Sequence, residues 1–427
     1  MQIETIKRVL VSQREELDKL LGSGDIIERR TPDILRYLAH PNILVIMGPR
    51  RCGKSILSNL LLRGKQYGYA NFDDERLMGI GARELDTVLE AMYGLTGPEL
   101  EYIVLDEIQN VLGWELFASR LRRTKKIIIT GSNARLLSGE LATHLTGRYM
   151  DFNLFPFSLG EFLACRGLRI SKESLYSTKE ISQIKKQLET YIDMGGFPEV
   201  QKFGKPILGR IYDDIIMKDA ILRYGIRYRT TFRELARYLM ANAGHEITFS
   251  RLGKLLSIRD IHTVRNYVDF LCSVHLIFLV ERYSPKLKQR MIAPRKVYSI
   301  DTGLSGAVAP SEPEARGRIM ENIVAIELLR RNSFSDTPRE LFYWKDHQKR
   351  EVDFVILEKG RVERLVQVCH HFDGQDTRRR ELDNLVRASR NLGCSELVVI
   401  SWEDEEDMVH DGLRIRLVPL WKWLLSD

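Results

Sequence analysis

A chain of 427 residues has room for roughly two to four domains at about 100–200 residues each, which excludes a single small binding module. Hydrophobic residues at 44% and charged residues at 29% exclude a disordered chain and a fibrous repeat. The formal charge of +7, from 65 basic against 58 acidic residues, is too small to signal nucleic-acid binding by itself; it is uneven, however, because residues 201–300 hold 19 basic and 8 acidic residues, a surplus of 11, while 301–427 are net acidic.

The five cysteines, Cys52, Cys165, Cys272, Cys369 and Cys394, are scattered with no CxxC pair, which argues against a zinc or redox motif and for reduced thiols in a cytosol. The first twenty residues are charged throughout. The longest apolar stretch, Phe270 to Val280, is about half a membrane span and contains His275. A cytoplasmic protein with no membrane partner is expected.

The clearest chemistry lies near the N-terminus. An apolar run, Ile43 to Met47, meets Gly48-Pro49-Arg50-Arg51-Cys52-Gly53-Lys54-Ser55, and an amphipathic helical pattern continues from Ile56. Strand, glycine loop and helix in that order let the backbone of residues 48–56 curl so that its N–H groups, of which Pro49 has none, face a phosphate. Lys54 would reach the β- and γ-phosphates of ATP, and Ser55 would ligate Mg²⁺. About fifty residues on, the apolar strand Tyr102 to Leu105 ends in Asp106 and Glu107. Adjacent acids at a strand tip repel unless a cation or proton lies between them; Asp106 is expected in the Mg²⁺ shell and Glu107 on the attacking water. A third apolar run, Ile127 to Ile129, leads into Thr130-Gly131-Ser132-Asn133, where the Asn133 amide would sense the γ-phosphate.

These segments, with LTGRYMDFNLFPFSLGEF at 145–162 and YIDMGGFPE at 191–199, resemble AAA+ superfamily ATPases of the archaeal and bacterial family whose AAA domain is fused to a region of unknown function called DUF4143. The resemblance implies ATP hydrolysis by Lys54, Ser55, Asp106, Glu107 and Asn133. It also implies a homo-oligomer, with a hexameric ring as the form the superfamily suggests. Arg148 falls where this family carries an arginine able to reach a neighbouring subunit's nucleotide, and a guanidinium there would neutralise charge on the transferred phosphate. Arg135 competes for that role, and pairing of Arg148 with Asp151 is the plainer alternative. The Gly195-Gly196-Phe197-Pro198 turn falls in the family's helical lid but holds no arginine, so no second sensor arginine is assigned.

Residues 166–244 carry helical periodicity and read as lid and connector, after an ATPase core over 1–165. Residues 245–300 give a short helix with a Ser or Thr cap, a turn at 257–260, a second helix from Ile261 to Leu271, a strand from Leu276 to Tyr283, and a basic loop with Lys286, Lys288 and Arg290. That is the order of a winged helix-turn-helix. DNA contacts are expected from His262, Arg265 and Asn266 on the second helix and from the three basic loop residues, with Asp269 weakening the face.

The segment 301–427 resembles the restriction-endonuclease-like fold. Asp353 and Glu321 match two acids of its metal site, but Gln367 and Cys369 stand where a Glu and a Lys belong. A degenerate, non-cleaving domain is expected, with His370 and His371 solvated or hydrogen-bonded rather than metal-bound. The fold class is therefore α/β: a P-loop AAA+ core, a helical lid, a winged helix and a C-terminal endonuclease-like domain. The expected activity is Mg²⁺-dependent ATP hydrolysis coupled to DNA, in repair, recombination or defence. A nucleotide-controlled switch or protein-remodelling ATPase is the alternative, and an ATP-gated nuclease the third reading.

Overall fold

The computed structural model describes residues 1–22, 26–31, 34–39, 42–134, 147–309, 316–335, 337–370 and 375–426. Two compact units emerge: Met1–Phe155 with Ser273–His275, and Pro156–Cys272 with Leu276–Asp427.

The first unit is built on strands β1 (Ile43–Met47), β2 (Tyr67–Asn71), β3 (Tyr102–Asp106), β4 (Lys126–Gly131) and β5 (Tyr149–Asn153). They form one sheet in the order β2-β3-β4-β1-β5, with every pairing parallel. β1 and β3 are buried along their whole length, as strands covered on both faces must be, and their apolar runs follow from that. The helices Ile3–Leu21 and Leu85–Thr96 close one face: Ile6, Val9 and Leu10 of the first and Val88, Ala91 and Met92 of the second share a core with Val45, Ile103 and Ile129. Parallel strands bring all the carboxyl ends to one edge, and the order places the tip of β4 between those of β1 and β3.

The second unit opens with helices. Leu159–Cys165 begins with a capping box, in which Ser158 and Glu161 satisfy each other's backbone amides. The glycine pair after helix Thr178–Met194 is a docking point. Phe157 N donates to Gly196 O at 2.6 Å, and a Cβ at Gly196 would lie 2.4 Å from Phe157 O, so no larger residue fits. Asp301 accepts from Gly196 N at 2.7 Å and, as N-cap of helix Thr302–Val308, from Leu304 N at 2.8 Å.

Next, helix Arg229–Ala241 leads to β6 (Glu246–Ile247), helix Phe249–Leu255 capped by Thr248, helix Ile261–Ser273, β7 (Ile277–Arg282) and β8 (Arg295–Ser299). β8 pairs with both β6 and β7, antiparallel. The segment with Lys286, Lys288 and Arg290, expected as a loop, is a short helix over Leu287–Ile292. The strands do not end there: β7 pairs in parallel with β9 (Arg339–Lys345), and the sheet continues through β10 (Glu351–Glu358), β11 (Arg361–Cys369), β12 (Leu397–Ser401) and the hairpin of β13 (Glu406–His410) and β14 (Leu413–Pro419). Among the described residues, nine strands thus share one mixed sheet. Helix Gln375–Leu392 packs Leu382, Leu385 and Val386 on Val355, Leu365 and Val399 of that sheet. No helix among the described residues is long and apolar enough to cross a membrane.

Candidate nucleotide-binding site

The loop after β1 is shaped by glycine where nothing else fits. Gly48 has φ +155°, and a Cβ there would sit 2.2 Å from Leu154 O; Gly53 has φ +97°, in the left-handed region. Arg29 fixes the loop from behind, donating from Nη1 to Cys52 O at 2.8 Å and from Nη2 to Phe155 O at 2.6 Å. Arg50 reaches Asp73 at 3.1 Å, Arg51 takes φ 66°, and Cys52 is fully buried. Lys54, 5% exposed, folds its ammonium onto Gly48 O (3.2 Å) and Pro49 O (3.1 Å) and lies 3.5 Å from Glu107 Oε1.

The two acids at the β3 tip have separate surroundings. Asp106 is 1% exposed and accepts hydrogen bonds from the hydroxyls of Tyr69 (2.7 Å), Thr130 and Ser55. Burial, then Glu107, raises its carboxyl above the usual carboxylate value despite those bonds. Glu107 takes φ 52°, turning its side chain toward Lys54. Burial alone would raise it too, but Lys54, Gln109, Arg50 and the Ser132 amide hold it below its ordinary value. Its Oε2 accepts from Gln109 Nε2, Ser132 N (3.3 Å) and Ser132 Oγ (3.2 Å). Asn133, 4% exposed, follows Ser132 directly.

The loop and the acids, from separate stretches of sequence, therefore meet at one edge of the sheet, and Asn133 lies just past the end of β4 at that edge. Tyr69, Thr130, Ser132, Gln109 and Arg29 were not singled out beforehand. Thr130 and Ser132 sit in the small polar run that closes β4 and leads to Asn133, whereas nothing local marks Tyr69 or Arg29.

A family model described as an AAA domain matches residues 40–163, one described as a domain of unknown function (DUF8612) matches 185–315, and one for DUF4143 matches 316–423. An uncharacterized protein of Methanocaldococcus jannaschii is 33% identical over 415 residues, 92% of this chain and 90% of its own. The chain belongs to the AAA+ ATPases with a C-terminal DUF4143 region. An uncharacterized protein of Haemophilus influenzae is 29% identical over 401 residues, covering 89% of this ATPase and 94% of its own chain. Among solved structures, a Walker-type ATPase of Pyrococcus abyssi matches at TM-score 0.43 and 15% identity over 67% of this chain and 97% of its own. The Aeropyrum pernix Orc1 protein in complex with DNA matches at TM-score 0.32 and 12% identity over 68% and 94%. At these scores the likeness says nothing about activity.

Elsewhere in this AAA+ ATPase the predicted residues are distributed as follows. Arg148 is exposed at the start of β5, with its carbonyl accepting from Ile43 N at 3.0 Å and its Nη1 donating to Ser119 Oγ at 3.2 Å. It stands at the edge of the sheet opposite Gly48, about 15 Å along a five-residue strand. Arg135 and His371 lie outside the described residues. On helix Ile261–Ser273, His262, Arg265 and Asn266 are exposed together, while Val264, Tyr267 and Val268 are buried. Asp260 holds the first turn, accepting from His262 N and Thr263 N at 3.0 Å each. Lys286 and Lys288 are exposed; Arg290 is committed inward, donating to Ser284 O at 2.6 Å and lying over the Tyr283 and Phe342 rings.

In the C-terminal sheet, Asp353 and Glu321 come together as predicted, but around a residue that had been passed over. Lys296 of β8, 2% exposed, reaches both. An ammonium is therefore present where the sequence had suggested none, supplied from a strand about seventy residues before Gln367 and Cys369. His370 lies against the Trp402 ring, with centroids 5.2 Å apart.

Proposed function

We propose that this AAA+ ATPase hydrolyses ATP with Mg²⁺ and couples turnover to DNA. The observation that carries the catalytic part is the meeting of Lys54, Glu107 and Ser132 at the tips of three strands whose order puts β4 between β1 and β3. Ser55 and Asp106, already hydrogen-bonded to each other, fit a Mg²⁺ shell, and the ion would supply charge neutralisation on the phosphates. Lys54 would exchange its loop carbonyls for phosphate oxygens. Glu107, held anionic by Lys54 and oriented by Ser132 and Gln109, would take the proton of the attacking water, and the Asn133 amide would orient water or γ-phosphate.

DNA is supported as the partner by the exposed His262, Arg265 and Asn266, with exposed Lys286 and Lys288 in the same basic segment. Helix Arg229–Ala241, β6, two further helices and the β7/β8 pair follow the order of a winged helix-turn-helix, whose second helix reads a major groove. One observation favours the alternative of a protein partner. Leu287, Met291 and Ile292 of the short basic helix are 69%, 69% and 74% exposed, an apolar tip suited to a protein surface.

ATPase rates measured with single-stranded, duplex and branched DNA, and without any, separate the two. Stimulation by one DNA form is expected, with binding that weakens steeply with salt. Lys54→Ala should abolish turnover, and K286E/K288E should abolish the stimulation while leaving the basal rate. Salt-independent binding, or no response to any DNA, would leave the protein-partner reading.

A further inference from the structure

The endonuclease-like sheet implies a divalent metal between its acids, and the residues present do not fit one. Lys296 Nζ lies 2.8 Å from Glu321 Oε1, 2.5 Å from Glu351 Oε1 and 3.1 Å from Asp353 Oδ1. Three carboxylates from two elements, Glu321 of helix Arg316–Ser333 and Glu351 and Asp353 at the first and third positions of β10, thus share one ammonium that is almost wholly buried. Each carboxylate also has a second partner. Asp353 Oδ2 accepts from Val368 N at 2.9 Å, Glu321 Oε1 accepts from Tyr298 OH at 2.6 Å, and Glu351 Oε2 pairs with Lys345 at 2.9 Å.

Gln367, which stands where that fold carries a Glu, is locked as well. Gln367 accepts at its side-chain oxygen from Asp353 N at 3.3 Å and donates from its Nε2 to Glu381 Oε2 at 2.9 Å, so the side chain is held by a carboxylate that only a donor could satisfy. Among the described residues, no three His, Cys, Asp or Glu side chains are placed to hold a metal ion, the three carboxylates here being gathered on the ammonium instead.

We infer that Lys296 is an internal cation: its ammonium occupies the position between Glu321, Glu351 and Asp353 that a divalent metal would take, and so keeps this carboxylate set closed to metal and bolts β8 to the helix and to β10. A lysine does this without exchange, because its charge is covalently delivered and cannot dissociate. Buried carboxylates that lost it would face one another unpaired, at a cost a metal ion could offset. The inference is independent of the ATP and DNA readings.

Mn²⁺ binding to the nucleotide-free full chain, read by electron paramagnetic resonance of free Mn²⁺, tests it together with melting temperature. Wild type is expected to show no Mn²⁺ site sensitive to Asp353→Asn. Lys296→Ala should gain one Mn²⁺ site, lose it again on adding Asp353→Asn, and melt several degrees higher with Mn²⁺ than without, a response absent from wild type. If that variant does not fold, Lys296→Ala with Glu351→Gln removes one of the facing charges and should gain the same site. A folded variant that binds no Mn²⁺ would overturn the inference. So would wild-type binding lost on Asp353→Asn, or Mn²⁺-dependent nicking of supercoiled DNA lost on both Lys296→Met and Asp353→Asn, which would make Lys296 a catalytic lysine. Should neither substitution fold, the wild-type measurement decides alone: Asp353-dependent binding overturns the inference and its absence upholds it.

Discussion

Adjacent carboxyls at the tip of β3 are held in different states because their neighbours differ. Asp106 is enclosed by three hydroxyls and raised by burial, while Glu107, one residue on, is turned by its left-handed backbone toward Lys54 and held low. A carboxylate kept ionised beside the phosphate loop suits proton acceptance, and removing that capacity isolates it. Glu107→Gln preserves size and the hydrogen bond from Ser132, so nucleotide binding is expected to persist while turnover falls by about 100-fold or more, the range for a lost general base. Nucleotide affinity and single-turnover hydrolysis measured on the same preparation check this; equal losses in both would place Glu107 in binding instead. Lys54, Ser55, Asp106 and Glu107 were legible in the sequence because the phosphate loop is a local object, with glycines and lysine at fixed offsets. Tyr69, Arg29 and Lys296 were not, since each reaches its partner across a chain separation that only the folded chain closes.

At the level of elements, the glycine turn at 195–196 gains a physical account independent of any nucleotide. Helix Thr178–Met194 ends in a backbone so close to Phe157 and Asp301 that a methyl group would collide, and Asp301 caps the next helix while gripping Gly196 N. Burial pushes the Asp301 carboxyl up to about 6 from its ordinary 3.8, although the amides of Gly196 and Leu304 pull it back. Its folded-state value is therefore the higher one. The associated stability is fully present below the unfolded value and is lost as pH rises through about 6, an effect of roughly 3 kcal/mol for two pKa units. Asp301→Asn retains a capping oxygen and removes the titration. Denaturant melts across this pH range should show wild-type stability falling relative to the variant by about that amount; parallel curves would exclude Asp301 as the source. Helix Gln375–Leu392 follows its periodicity, burying Leu382, Leu385 and Val386 on one face, whereas helix Arg316–Ser333 buries Asn322 to Glu327 without a break and so shows no single apolar face. The short helix at Leu287–Ile292 escaped because six residues with scattered charge carry too little pattern to tell a helix from a loop.

For the whole molecule, the position of Arg148 limits what it could do. It lies across the sheet from the phosphate loop of its own chain, so a catalytic guanidinium there would serve a second copy, whereas its bond to Ser119 is the local alternative to the predicted Asp151 pair. Arg148→Ala and Glu107→Gln should each be nearly inactive alone, the former by about a thousandfold if it acts as a finger. Mixed together they should recover turnover, because an Arg148→Ala site next to a Glu107→Gln subunit has both groups. ATPase assays of the mixture, with mass measured in ATP, check this, and an inactive mixture would return Arg148 to a local role. The sequence by itself determined the phosphate loop, its acids and the order of helices and strands, because those depend on residue spacing within a few turns or one strand. Only the tertiary structure decided that β4 stands between β1 and β3 and that β7 joins β9 in a single nine-stranded sheet. The same is true of the lysine supplied to the acidic cluster from β8, since backbone hydrogen bonding between strands carries no sequence signature of which strand pairs with which.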